Sequence, residues 1–304
     1  MAEAEELERT LLTVRDWLRY AVSRFTEAGL VYGHGTASAL DEAAYLILHT
    51  LHLPIDQLEP WLDARLTLPE RQAVGAIIAK RISTRKPAPY LTNEAWVQGH
   101  AFYVDQRVIV PRSYIGELLG SRLSAVVDDA ESVDRVLDLC TGSGCLAILA
   151  ALAFPNAVVD ASDISADALA VAERNVATYD LGDRIGLVHS DLFGGLAGRR
   201  YDLILTNPPY VSAEVVAAFP PEYAAEPRIA HAGGEDGLDI VLRILAEAGT
   251  HLTENGVLVV EIGTGRDILE GVFPRLPFLW LDSAGSEGEV FALTAKDLRG
   301  RKGR

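Results

Sequence analysis

The chain is poor in cysteine and has no apolar run long enough to span a bilayer. Its 304 residues include two cysteines, Cys140 and Cys145, and a membrane helix needs about 20 consecutive apolar residues. The two thiols flank a glycine-rich turn without the spacing of a zinc site, and a disulfide there would distort the loop. Reduced thiols suit the cytosol, and both read as small packing residues. Residues 1–8 are acidic and lack the basic-then-apolar order of a secretion signal. The cytoplasm is the expected compartment. Positive charge is scarce too: 27 Lys and Arg stand against 43 Asp and Glu, a formal charge of −16, and nearly all of the excess lies beyond Lys86. That part of the chain should repel a phosphate backbone, which argues against direct nucleic-acid recognition, and suits a cationic partner or cofactor better. A role in solubility alone accounts for the charge equally well.

What is present supports two domains. Hydrophobic residues make up 49% of the chain, enough for a substantial core. Residues 1–86 read as a small helical domain. Leu7, Leu11, Val14, Trp17, Leu18 and Val22 recur at helical spacing. Thr36 or Ser38 caps a second helix holding Ala44, Leu46, Ile47 and Leu48, and a third runs over about 69–85. His49 and His52 are spaced i, i+3 but have no evident carboxylate or thiol partner, so no metal is expected. This domain carries no catalytic constellation and is assigned to substrate recognition or to packing. Residues 87–112 read as a β-hairpin linker, with strands over 90–99 and 101–110. From 113 to 298 strands alternate with helices: strands at 135–140, 157–163, 185–190, one ending at Asn207, and 256–262, with helices at 145–153, 165–179, 238–252 and 267–273. Alternation predicts an α/β, doubly wound, mostly parallel sheet. The last strands, 279–283 and 289–293, are joined by a link too short for a crossover, which predicts a C-terminal antiparallel strand pair. Residues 299–304 form a basic tail.

Two stretches carry chemistry. In Thr206-Asn207-Pro208-Pro209-Tyr210, two prolines end a buried strand, because neither can donate to a ladder. In open α/β sheets, ligands bind at such strand ends. Asn-Pro alone is more often a plain turn; the whole stretch suits holding an –NH2 group. The Asn207 oxygen and a proline carbonyl would accept its two N–H bonds, and Tyr210 would stack on the planar group. The candidate catalytic residues are therefore Asn207, Pro208, Pro209 and Tyr210.

The second stretch is Asp138-Leu139-Cys140-Thr141-Gly142-Ser143-Gly144, read as strand, tight turn, helix. Its glycines let a ligand approach the backbone. A lone Gly-x-Gly is a weak signal, but Asp163 closes the next strand at the distance expected for a carboxylate on ribose hydroxyls. Asp191, beside Leu192 and Phe193, closes the strand after that. Three carboxylates at successive strand ends fit a cationic nucleoside better than a pyrophosphate. Asp138 is placed near an ammonium group, Asp163 on a ribose and Asp191 with Leu192 by an adenine, which points to S-adenosylmethionine. NAD remains an alternative, as does a helix-capping role for Asp163. The candidate cofactor residues are Asp138, Cys140, Thr141, Gly142, Ser143, Gly144, Asp163, Asp191, Leu192 and Asn207.

With these residues in view, the chain resembles the class I S-adenosylmethionine-dependent methyltransferases that modify protein glutamine side chains. The glycine turn and Asn207-Pro208-Pro209-Tyr210 carry the resemblance, extended by Pro227-Arg228 and by Gly233-Gly234-Glu235-Asp236-Gly237-Leu238-Asp239. It covers nearly the whole chain and implies a Rossmann-like methyltransferase sheet. It also implies a protein substrate. One branch of the family acts on peptide chain release factors and usually carries Pro-Arg-Pro-Glu-Thr-Glu, where this chain has Pro111-Arg112-Ser113-Tyr114-Ile115-Gly116. Tyr90-Leu91-Thr92-Asn93-Glu94-Ala95-Trp96, followed by Phe102-Tyr103-Val104-Asp105, is similar to the branch acting on large-subunit ribosomal protein L-three. The resemblance therefore favours L-three, free or within a ribosome assembly intermediate, and leaves release factors as the alternative. A nucleic-acid amino methyltransferase and a non-catalytic assembly factor are the readings from other classes. Glu226 and Arg228, in the long stretch 211–237, are read as touching substrate or, more simply, as loop ion pairs.

Overall fold

The computed structural model describes residues 2–300; the basic tail falls outside them from residue 301 on. The chain divides into two compact units. One comprises the chain up to Ala95 together with Pro220–Ala225, and the other comprises Trp96–Phe219 and the chain from Glu226 on.

The first unit is helical: α1 (Ala2–Thr10), α2 (Val14–Glu27), α3 (Ala39–Thr50), α4 (Leu68–Thr84) and α5 (Ala88–Thr92). The apolar period that reads as one helix across residues 7–22 is broken into two. Thr13 forms a capping box with Asp16, its hydroxyl taking the Asp16 N–H while the Asp16 carboxylate takes the Thr13 N–H. A cap of this kind starts a new helix even within a continuous apolar stripe. Ser38 rather than Thr36 caps α3. The core joins Trp17, Phe25, Leu46, Ile47 and Ile78. The His49 imidazole has a carboxylate after all, Glu94 Oε1 at 4.0 Å. Among the described residues, no group of three or more His, Cys, Asp and Glu is placed to hold a metal ion.

The expected linker strand over 90–99 is replaced at its start by α5. Pro87 stands at the N-cap and Pro89 in the first turn, where a missing N–H leaves no helical bond unmade. Asn93, at φ 56°, then ends the helix. A shorter two-stranded sheet follows, β1 (Glu94–Val97) with β2 (His100–Tyr103).

After α6 (Tyr114–Gly120) come β3 (Arg135–Leu139), α7 (Cys145–Ala153), β4 (Val158–Asp163), α8 (Ala166–Thr178), β5 (Ile185–His189), β6 (Tyr201–Thr206), the short α9 (Ala213–Ala217), α10 (Asp239–His251), β7 (Leu252–Glu261), α11 (Arg266–Val272), β8 (Leu279–Leu281), β9 (Val290–Thr294) and α12 (Ala295–Arg299). The seven-stranded sheet has the order β5-β4-β3-β6-β7-β9-β8. The strands from β5 to β7 are parallel. At the far edge β9 runs antiparallel to both β7 and β8, as the short link between the last two strands predicts. Side chains alternate between two cores: Val136, Leu203, Leu205 and Val259 pack with α7 on one face, and Leu137, Ile204, Leu258 and Val260 pack with α10 and α12 on the other. Burial on both faces is what near-continuous apolar strands require.

The strand order reverses direction between β3 and β6. Leu139 and Thr206, the last residues of those strands, pair in register, and the Thr206 hydroxyl donates to the Leu139 carbonyl at 2.8 Å. The glycine turn and the Asn207 loop therefore leave the sheet side by side at its switch point, where an open α/β sheet leaves a crevice. Among the described residues no helix is long and apolar enough to cross a membrane.

Candidate active site

The glycine turn is held by hydrogen bonds donated to two carboxylates. Asp138 is fully buried; its Oδ2 accepts the Thr141 hydroxyl at 2.5 Å and the Ala147 N–H at 2.9 Å. These bonds tie the turn to the first turn of α7. Its Oδ1 is buried without a hydrogen-bond partner, and burial pushes the carboxyl up to about 7. Asp163 accepts the Gly142 N–H through Oδ2 and the Ser165 N–H through Oδ1, both at 2.9 Å. It thus makes the cap-like contacts while also facing the cavity described next; burial raises its carboxyl. Gly142 has φ 55° and open space where a Cβ would stand. At Gly144, φ 79°, a Cβ would meet Ala172 Cβ at 3.1 Å, so α8 can approach this closely only because the residue is glycine.

A cavity of about 250 Å³ opens at these strand ends. Its floor is Leu139, Cys140 and Gly142 at the end of β3, Ser162 to Ser165 at the end of β4, and Ser190, Asp191 and Leu192 after β5. Asn207 and Pro209 close one side. Asp138, Thr141, Ser143, Gly144, Pro208 and Tyr210 are not among its lining residues. Sequence reasoning missed part of the wall: Arg107, Val108 and Ile109, then Pro227, Ile229, Ala230 and Ala232, then Ile240 and Arg243. Arg243 pairs with Asp191, its Nη2 at 2.9 and 3.0 Å from the two carboxylate oxygens. Their side chains are about half exposed, so the pair contributes little to stability; it orders the rim.

The Asn207 side chain has a defined orientation. Its Nδ2 donates to the main-chain carbonyl of Arg112 at 3.2 Å, which leaves Oδ1 as an acceptor. Tyr210 is not among the residues lining the cavity. Its hydroxyl donates to Glu261 Oε1 at 3.3 Å, and Gly263 packs against the ring so closely that a Cβ there would lie 2.7 Å from Tyr210 Cε2. Burial raises the phenol well above its usual range. The Glu261 Oε2 accepts the Ser113 hydroxyl at 2.6 Å and the Tyr114 N–H at 2.9 Å. Glu261 was legible as a lone acid closing an apolar strand at the ligand-binding end of the sheet. Burial pushes its carboxyl up to about 7.

Glu226 makes an internal ion pair, which is the plainer of the two roles weighed for it. Its two oxygens lie 2.9 Å from Arg112 Nη1 and Nη2 in a fork, and Oε1 also accepts the Val110 N–H at 3.0 Å. The His231 Nε2 lies 2.8 Å from Oε2. The returning stretch is sewn to the chain after Tyr210, with Val211 N–H on the His231 carbonyl and Gly233 N–H on the Val211 carbonyl, both 2.9 Å.

The donor set fits a cationic nucleoside bearing an ammonium group. Two carboxylates line the cavity, a third carries an oxygen with no partner behind the turn, and the two arginines of the lining, Arg107 and Arg243, are each paired with a carboxylate, Asp105 and Asp191. A pyrophosphate laid on the glycine turn would meet repulsion from Asp163, whose Oδ2 accepts the Gly142 N–H.

Comparison with known proteins agrees with this chemistry. Residues 118–219 match the family model described as methyltransferase small domain. A ribosomal protein uL3 glutamine methyltransferase of Burkholderia pseudomallei is 57% identical, the alignment covering 94% of this chain and 95% of that protein. Proteins of the same name from Bradyrhizobium diazoefficiens and Neisseria gonorrhoeae are each 55% identical, covering 95% and 96% of this chain and 92% and 97% of the relative, respectively.

Proposed function

We infer, for a chain that belongs to the family of ribosomal protein uL3 glutamine methyltransferases, that the cavity beside Asn207 carries S-adenosylmethionine-dependent methylation of a glutamine side-chain nitrogen in uL3. The observation that carries this reading is the Asn207 amide. Its Nδ2 is taken by the Arg112 carbonyl, so its oxygen is the end available to an incoming N–H. Bound S-adenosylmethionine supplies an electrophilic methyl on a sulfonium. Asp163 and Asp191 would hold its adenosyl part, Gly142 would admit it to the backbone, and the buried Asp138, with its unpartnered Oδ1, would offset the charge of its ammonium end.

An amide nitrogen is a weak nucleophile, because its lone pair is delocalised into the carbonyl. Asn207 is neutral and cannot serve as a strong base. Its Oδ1, with the Pro208 carbonyl, accepts the two N–H bonds and aims the nitrogen at the methyl carbon. On methyl transfer, in which the nitrogen–carbon bond would form as the carbon–sulfur bond breaks, the N–H groups of the substrate amide would become more acidic. Both acceptors then bind more tightly than in the ground state, which is the condition for catalysis. Orientation of this kind lowers a barrier by up to about 7–11 kcal/mol. The proton leaves to solvent. Tyr210, held by Glu261, sets the position of the loop.

All residues lining the cavity belong to the second unit, and we assign recognition of the protein substrate to the helical first unit. A basic ribosomal protein suits the negative charge of the chain, and the cytoplasm is where that substrate is made. Free uL3 and ribosome assembly intermediates are the two substrate forms to compare.

The test is labelled S-adenosylmethionine with uL3 and with assembly particles from a strain lacking the activity, followed by mass mapping. We expect one methylated glutamine. Asn207→Ala should lower kcat by about 100-fold or more while cofactor affinity, read by calorimetry, stays within about threefold. Asp163→Ala should weaken cofactor binding instead. Wild-type turnover by Asn207→Ala would remove the proposed role.

A further inference from the structure

The Asn207 amide has two ends of nearly equal shape and opposite hydrogen-bond character. Flipped, it would present N–H groups to the N–H groups of a substrate amide. The choice is made by the Arg112 carbonyl, which takes Nδ2. That carbonyl lies in irregular chain between β2 and α6, with no strand ladder to hold it in place. What holds it is a pair of buried carboxylates, one on each side. Glu261 takes Ser113 Oγ and Tyr114 N–H, and Glu226 takes Val110 N–H and both guanidinium nitrogens Nη1 and Nη2 of Arg112. Glu226 is 3% exposed and its contact with Arg112 is bidentate, the geometry that best fixes a guanidinium in plane.

We propose that Glu226 is a positioning residue for the reaction, holding the Arg112 main-chain carbonyl so that Asn207 offers its oxygen, not its nitrogen, to the substrate amide. The inference rests on the reading of Asn207 given above and names what that reading requires. It also gives the stretch 211–237 a task. Glu226 immediately precedes the residues of that stretch that line the cavity, Pro227, Ile229, Ala230 and Ala232. The ion pair of Glu226 with Arg112 therefore ties the start of that segment to the chain that carries the acceptor for Asn207 Nδ2. Displacement of a positioning group by about 1 Å is enough to slow a reaction about 100-fold.

The experiment compares wild type, Asn207→Ala, Glu226→Gln and the double variant Glu226→Gln/Arg112→Gln, with uL3 as substrate. The double variant removes both charges, so it leaves no unpaired buried ion and keeps the fold if the single variant does not. We expect kcat to fall about 10- to 100-fold in Glu226→Gln and in the double variant. KM for uL3 and the calorimetric Kd for S-adenosylmethionine should each stay within about threefold in both. A purely structural role predicts something else: a lowered Tm, a weakened cofactor Kd, and a double variant that regains turnover along with its Tm. Wild-type kcat in the double variant, or a loss confined to cofactor affinity, overturns the proposal. Should Asn207→Ala itself turn over normally, it is the reading of Asn207 that fails. Should Asn207→Ala be dead while both Glu226 variants work normally, Glu226 alone is wrongly assigned.

Discussion

At the scale of single residues, Glu261 and Asp138 are carboxylates held where charge is poorly solvated. Each is pushed up to about 7 by burial, against ordinary values of 4.5 and 3.8. The direction of the resulting pH dependence is set by linkage. A carboxyl whose folded value is raised binds its proton more tightly in the folded chain, so its contribution to stability is full in acid and is lost as pH rises toward 7. For Glu261 the window runs from about pH 4.5 to about pH 7, and the loss is at most about 3 kcal/mol. Glu261→Gln should flatten the fall in unfolding free energy across that window, with the slope due to Asp138 remaining. Urea titrations at pH 5 and pH 8 measure it, and an unchanged slope would show that Glu261 stays ionised throughout. The same substitution weakens the acceptor of the Tyr210 hydroxyl, so kcat should fall with little change in cofactor affinity.

At the scale of elements, the two glycines of the turn have different duties, and substitution separates them. Gly144→Ala places a methyl against Ala172 and forces an L residue to φ 79°. It should cost about 1–3 kcal/mol through strain and the parting of α7 from α8. Gly142→Ala meets no atom within 4 Å but adds a methyl at the cavity floor. It should cost about 1–2 kcal/mol for its φ of 55° and weaken cofactor binding by about tenfold or more. Thermal unfolding and calorimetry on both variants read the contrast; equal losses of cofactor affinity would contradict it. Elements are also where local rules met a stronger local rule. A capping box at Thr13 divides one apolar period into two helices, and prolines at the start of α5 favour a helix where β-rich composition suggests a strand.

At the scale of the whole molecule, the stretch 211–237 leaves the second unit after Phe219, contributes Pro220–Ala225 to the first, and returns at Glu226. Glu222 is the residue that fixes it there. Its Oε1 accepts the Val31 N–H at 3.1 Å and lies 2.6 Å from Arg85 Nη2, while the buried Arg81 bonds Glu42 at 2.6 Å. Removing one partner from a buried ion cluster leaves an uncompensated charge and costs about 3–5 kcal/mol. Glu222→Ala should therefore destabilise the first unit by that order, measured by denaturant unfolding followed through Trp17 and Trp61. A loss under about 1 kcal/mol would mean that the cluster is solvated.

The amino-acid sequence by itself determined the alternating sheet, its antiparallel edge, the glycine turn and the Asn207 loop. Each is written in residues close together in the chain, as apolar period, turn chemistry or the missing N–H of proline. Only the tertiary structure decided which way those groups face. Asn207 takes its orientation from a carbonyl 95 positions away, Tyr210 from a carboxylate 51 away, and the Arg112 fork from Glu226, 114 away. Periodicity records the face of an element on which a side chain lies. Which distant polar atom it meets depends on the path of the chain between them, and no local pattern encodes that path.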